Sequence, residues 1–230
     1  MGVTAPRPCP DSRRAYRALV QDRFCIVTVG RLTSIKGYDL LAKAIGELSE
    51  RARKEVYWLT AGAGPERSAL EQLAQKLEIN QRSLGHLAPP QRDALLSIAD
   101  LFVAPSRQIG ARVEGAPVAL REALTSGCSI IATQSGGVTQ ELNAFKSALS
   151  PDRHGEVISI LPERVDQLKG ALERFYTRWR ATQDLEETSI TRDHLSKIQL
   201  SLTLSDEAKR RWLWTSLGPQ HARALECSLL

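Results

Sequence analysis

Two carboxylates, Glu114 and Glu122, stand with seven residues between them in Glu114-Gly-Ala-Pro-Val-Ala-Leu-Arg-Glu122, across the start of a segment that reads as a helix. Pro117 suits a first helical turn, because the N–H it lacks would have no intrahelical partner there, and Ala119, Leu120, Ala123 and Leu124 supply an apolar stripe. The helix is therefore predicted to begin near Ala116 or Pro117. Its first N–H groups, around Val118 to Leu120, form an anion site strengthened by the helix dipole. Glu114 lies just outside that site and Glu122 lies on the helix beyond it. A ligand with a phosphate between two hydroxyl-rich groups suits the layout, because a carboxylate can accept hydrogen bonds at each end. A nucleoside-diphosphate sugar has that form. Taken alone, the spacing equally describes two acids on one solvated helix face.

Two cations add to this. Phe24-Cys-Ile-Val-Thr-Val29 is a continuous apolar, β-branched run, as expected of a strand buried on both faces of a parallel sheet. It ends in Gly30-Arg31-Leu32 and, five residues after the arginine, Lys36-Gly37. An Arg and a Lys between a strand and the next helix sit at the carboxyl edge of the sheet, where open α/β folds bind ligands. Solvated loop cations are the alternative reading of the same residues.

The motifs occur in a fixed order: Gly30-Arg31-Leu32 with Lys36-Gly37, then Gly62-Ala-Gly-Pro65, Glu114-x7-Glu122, and finally Gly127, the apolar run Ser129-Ile-Ile-Ala132 and Ser135-Gly136-Gly137-Val138. In that order they resemble the carboxyl-terminal, donor-binding domain of retaining GT-B glycosyltransferases of family 4, the glycosyl transferases group 1. The resemblance implies sugar transfer from a nucleoside-diphosphate sugar with retention at the anomeric carbon, as in polysaccharide biosynthesis. It further implies that Gly30, Arg31 and Lys36 hold the donor diphosphate, helped by the N–H groups near Pro117 and Val118. Glu122 would accept from the ribose hydroxyls, and Glu114, the catalytic candidate, would position the sugar and stabilise developing charge. The turn at His86-Leu87 would approach the nucleobase, although His86 also reads as a partly exposed loop histidine. Many relatives carry an aromatic where this chain has Ala116, which alters the sugar pocket. No Asp-x-Asp or His cluster is present to hold a cation, so no metal or other cofactor is expected. The two cations and the helix terminus would carry the electrostatic role that a metal plays elsewhere.

The elements needed to position these groups are legible as alternating strands and helices. A helical period at Leu40, Leu41, Ala44, Ile45 and Leu48 covers residues 38–49, and Val56-Tyr-Trp-Leu-Thr-Ala61 is a second strand. Gly62-Ala-Gly-Pro-Glu66 lacks the third glycine of a dinucleotide fingerprint and reads as a tight turn on the cleft floor, opening a helix to about residue 77. Further strands are predicted over 82–85, 100–104, 129–132 and 156–161, with helices over 89–99 and 162–179. The fold class is α/β, an open, mostly parallel Rossmann-like sheet with helices on both faces, over residues 24–180.

Residues 1–23 are rich in Pro and Arg and read as a linker-like lead-in with a short helix over 12–20. In the family a linker of this kind joins the donor domain to an amino-terminal acceptor-binding domain, so the chain resembles one half of such an enzyme. A donor-binding subunit working with a separate acceptor-binding chain, a truncated or degenerate enzyme that is a non-catalytic module, and an unrelated nucleotide-binding α/β protein are the alternatives. Residues 181–230 read as a helical extension, and Lys209-Arg-Arg-Trp-Leu-Trp214 either packs its indoles on the domain or touches an anionic membrane surface.

The formal net charge of +5 over 230 residues suits an anionic ligand, but its cations are dispersed and only 5% of residues are aromatic, which disfavours nucleic acid. No apolar run approaches the ~20 residues that span a bilayer, and a cytosolic protein, with peripheral contact at the inner membrane face as a further option, is expected. Cys9, Cys25, Cys128 and Cys227 show no Cys-x-x-Cys spacing and are expected as reduced thiols.

Overall fold

The computed structural model describes residues 5–110, 118–146 and 157–186. Glu114, Ala116, Pro117 and Cys227, together with the whole Lys209 to Trp214 segment, lie outside the described residues.

Helix α1 (Pro10–Val20) precedes strand β1 (Phe24–Val29), a 3-10 turn (Ser34–Lys36), α2 (Tyr38–Gly46), α3 (Glu50–Glu55) and β2 (Val56–Ala61). Then come α4 (Arg67–Lys76), β3 (Gln81–Gly85), α5 (Pro89–Leu96), β4 (Leu101–Ala104), α6 (Val118–Thr125) and β5 (Ser129–Thr133). The described chain closes with α7 (Gly137–Lys146), β6 (Val157–Ile160) and α8 (Val165–Glu186). Among the described residues the strands form one sheet in the order β3-β2-β1-β4-β5-β6, every neighbouring pair parallel. Chain order reverses between β1 and β4, the switch point at which doubly wound sheets open a ligand crevice.

The apolar strands explain the layers. Alternate residues point to opposite faces, so Cys25, Val27, Leu59, Phe102 and Ile130 pack with α1, α5, α6 and α7. Phe24, Ile26, Trp58, Leu101 and Ile131 pack with α2, α3, α4 and α8 on the other face. Polar groups in these strands are paired: Trp58 Nε1 donates to Thr28 Oγ1 at 3.0 Å, both buried.

Several boundaries differ from the sequence-based ones. The period over 38–49 continues through a real turn, because α2 ends at Gly46 and Ser49 caps a separate α3, accepting from the Ala52 N–H at 3.3 Å. The last helix starts at Val165 and runs on past 179 to Glu186. The lead-in carries α1, a helix starting two residues before the expected 12–20 segment and docked on α5, with the Cys9 N–H donating to Pro90 O at 2.9 Å and the Arg7 N–H to Asp93 Oδ2 at 2.7 Å. Tyr16 and Val20 of α1 are buried in the core. Among the described residues no helix is long and apolar enough to cross a membrane.

Candidate functional site

Three strand ends build the site. The loops after β1, β2 and β3 are stitched side by side: the Gly30 N–H donates to Ala61 O at 2.9 Å, the Leu32 N–H to Ala63 O at 2.9 Å and the Gly62 N–H to Gly85 O at 2.7 Å. Gly62 has φ +143°, and a Cβ there would stand 1.9 Å from Gly30 O. Its glycine therefore serves the loop-to-loop approach, which explains a Gly-x-Gly-Pro run that is not a dinucleotide fingerprint.

Over these loops lies an open cavity of about 380 Å³ lined by Gly30, Arg31, Gly62, His86, Leu87 and Arg92, among others. Arg31 and His86 are exposed within it. Lys36 lies alongside: a Cβ on Gly30 would meet Lys36 Cε at 3.2 Å, Lys36 Nζ at 3.4 Å and the Tyr38 hydroxyl at 2.8 Å. The bare glycine thus leaves the space that the lysine occupies. Gly37 next to it is left-handed, φ +63°, and a Cβ there would be 2.1 Å from Pro105 O, so the Lys36 loop sits directly against the chain leaving β4.

That contact is reinforced by a group the sequence did not single out. Arg107 donates through Nη1 and Nη2 to Asp39 Oδ1 and Oδ2, each at 2.7 Å, and its backbone N–H donates to Ile35 O at 2.7 Å. Burial alone would raise the Asp39 pKa, but the hydrogen bonds and charge of Arg107, then of Lys43, outweigh it and hold the carboxyl below its ordinary value.

Glu122 is on α6, as expected, with its side chain 15% exposed. It is joined to the cavity through Arg92 of α5, whose Nη2 donates to Glu122 Oε1 at 2.6 Å. Arg121 and Glu141 form a second ion pair, tying α6 to α7. Val118 is the first described residue of α6 and is exposed, 49%, without lining the cavity. The structure thus gathers Gly30, Arg31, Lys36 and His86, and attaches Glu122 through a partner. Arg92 and Arg107 were not legible as site residues, since each finds its acid 30 and 68 positions away, beyond the reach of local spacing. Among the described residues no three His, Cys, Asp or Glu side chains come together.

Residues 12–191 match the family model for glycosyl transferases group 1. The chain belongs to that family. One relative, the GDP-mannose-dependent alpha-(1-6)-phosphatidylinositol monomannoside mannosyltransferase of Mycolicibacterium smegmatis, is 31% identical over 140 residues, which are 59% of this chain and 36% of that protein. Among solved structures, Anabaena Alr3699/HepE in complex with UDP-glucose superposes with a TM-score of 0.71 at 17% identity, covering 98% of this chain and 56% of that one. WaaG, a glycosyltransferase involved in lipopolysaccharide biosynthesis, does so with a TM-score of 0.67 at 21% identity, covering 96% and 53%. The fold of this group 1 member is accordingly that of half a GT-B glycosyltransferase, and the chain spans about half the length of those solved chains.

Proposed function

We propose that this chain is the donor-binding half of a retaining glycosyltransferase that takes a sugar from a nucleoside diphosphate. The observation that carries the proposal is the cavity at the carboxyl edge of the sheet, where Arg31 is exposed and Lys36 lies against Gly30. When the glycosidic bond to the diphosphate breaks, the bonding electrons leave with the phosphate oxygen. Two nearby cations stabilise that charge more in the transition state than in the ground state. The acceptor hydroxyl forms the new bond on the same face and gives its proton to the departing phosphate oxygen, and the configuration is kept. Glu114 would stand beside the sugar and favour the positive charge that develops at the anomeric carbon. His86 and Leu87 would bound the nucleobase and Glu122 would take the ribose hydroxyls.

The names of related proteins agree in kind, one being GDP-mannose-dependent and another a complex with UDP-glucose. In the proposal the acceptor is held by a second α/β domain, in the same or a separate chain, because positioning of donor against acceptor contributes up to about 7–11 kcal/mol to such reactions. A contact with an anionic membrane surface at the inner face would suit a lipid acceptor and is part of the proposal only through Lys209 to Trp214.

The test is calorimetry of the 230-residue chain with UDP, GDP and ADP, followed by nucleotide release from their hexose conjugates with sugar and lipid acceptors. Binding of at least one diphosphate with little acceptor-dependent release is expected. Glu114→Gln should leave diphosphate binding intact and weaken binding of the matching sugar conjugate. Failure of all three diphosphates to bind would overturn the proposal.

A further inference from the structure

We propose that Arg92 is a positioning residue of the donor site, holding Glu122 so that its carboxylate meets the ribose of a nucleoside diphosphate. The inference deepens the function proposed above and rests on it. Arg92 lines the cavity alongside His86 and Leu87, on the side of the third strand end. Its Nη2 donates to Glu122 Oε1 at 2.6 Å, with the two side chains 23% and 15% exposed. A carboxylate offers about four acceptor sites, so one donor at Oε1 leaves Oε2 able to accept from a hydroxyl. Among the described residues Arg92 Nε is buried with no hydrogen-bond partner, and the acid that pairs with the guanidinium is Glu122.

Two physical consequences follow from placing a cation there. The glutamate loses its rotamer freedom when the chain folds, before any ligand arrives, and this pre-organisation improves affinity. The guanidinium also offsets the negative charge of Glu122, which would otherwise repel an anionic diphosphate. Without Arg92 the same carboxylate should stop helping and begin to oppose binding. A pair that merely joins α5 to α6 would not show that reversal.

The experiment uses the full chain as wild type, Arg92→Gln, Arg92→Lys, Glu122→Gln and the Arg92→Gln/Glu122→Gln double variant. GDP, UDP and ADP, their nucleosides and inorganic pyrophosphate are titrated, and thermal midpoints are recorded. Arg92→Gln is expected to weaken nucleosides and diphosphates by roughly 10-fold or more, as for a hydrogen bond to a charged group, and pyrophosphate less, since it has no ribose contact to lose and meets only the screened charge of Glu122. Arg92→Lys should recover part of the loss. Glu122→Gln should weaken nucleoside binding in the wild type and leave it unchanged beside Arg92→Gln, where diphosphate binding should be unchanged or improved. If Arg92→Gln weakened pyrophosphate as much as nucleosides, or if the two substitutions added independently, the inference would be overturned. Loss with Glu122→Gln but not with either Arg92 variant would overturn it while the proposed function stood. A wild type that bound none of the diphosphates would overturn both. Should Arg92→Gln fail to fold, Arg92→Lys alone decides through the same split between nucleoside and pyrophosphate.

Discussion

Arg107 and Asp39 face each other in a bidentate pair, both contacts 2.7 Å, that ties the loop leaving β4 to the first turn of α2 across the switch point of the sheet. The Arg107 backbone N–H also holds Ile35 O, so Lys36 lies in sequence between the two attachment points, Ile35 and Asp39, of the loop that carries a proposed phosphate contact. Asp39→Asn is expected to lower stability at neutral pH by about 1 kcal/mol, a figure discounted because the two side chains are 34% and 20% exposed. The folded-state pKa of Asp39 is depressed, so its contribution is complete above the ordinary value of about 3.9 and is lost as pH falls through the folded value. Denaturant unfolding of both proteins checks this. The gap should be present at pH 7 and close below about pH 4, and a gap that widened on acidification would contradict the assignment.

Arg31→Ala and Lys36→Ala should each weaken diphosphate binding by about 1.5–3 kcal/mol, the range of a charge-assisted hydrogen bond. Nucleoside binding should hardly change, because neither cation has a phosphate to meet in that ligand. Calorimetry with paired ligands such as UDP and uridine separates the cases. Equal losses for both ligands would remove the diphosphate role.

Gly62→Ala and Gly85→Ala should differ although both glycines have positive φ. At Gly62 a Cβ would lie 1.9 Å from the Gly30 carbonyl oxygen, and backbone has to move. At Gly85, φ +73°, a Cβ would meet nothing within 4 Å, so only the left-handed cost of about 1–2 kcal/mol remains. Thermal melting is expected to show a larger loss for Gly62→Ala, with weakened diphosphate binding as well. Equal losses would mean that the loop after β1 yields freely.

The thiols should react in order of their surroundings. Burial, and next the charge of Asp100, pushes the Cys128 thiol up to about 12, and the same two causes raise that of Cys25. Cys9 is partly exposed, and the Ser12 side-chain hydrogen bond holds its thiol below the ordinary value. Peptide mapping after iodoacetamide at pH 8 should find Cys9 alkylated before Cys25 and Cys128, which are modified only on unfolding. Rapid labelling of Cys128 in the folded chain would contradict its burial.

The sheet was legible because parallel strands buried on both faces are largely apolar, and Phe24 to Val29 and Ser129 to Thr133 carry that signature with only Thr28, Ser129 and Thr133 as polar members. Gly30, Arg31 and Lys36 were legible for a related reason, since a strand end fixes where its following residues emerge. The partners were not. Nothing near Glu122 in the sequence announces Arg92, and nothing near Asp39 announces Arg107, because helix-to-helix and loop-to-loop contacts are set by packing of distant segments. The break between α2 and α3 was missed because Leu48 keeps the apolar period while the backbone turns at Glu47 to Ser49. The placement of Glu114, Ala116 and Pro117 lies outside the described residues.

The most direct measurement of the central claim is hydrogen–deuterium exchange of the full chain with and without a saturating nucleoside diphosphate, read by peptide. The donor-site account expects added protection in the peptides holding residues 29–37, 61–64 and 86–92, the three strand ends around the cavity. The opposite edge of the sheet offers an internal control, a hollow of about 250 Å³ lined by Arg17, Arg23, Asp100 and Trp179 among others, which should not change. Protection confined to that opposite edge, with none at the three strand ends, would contradict the account.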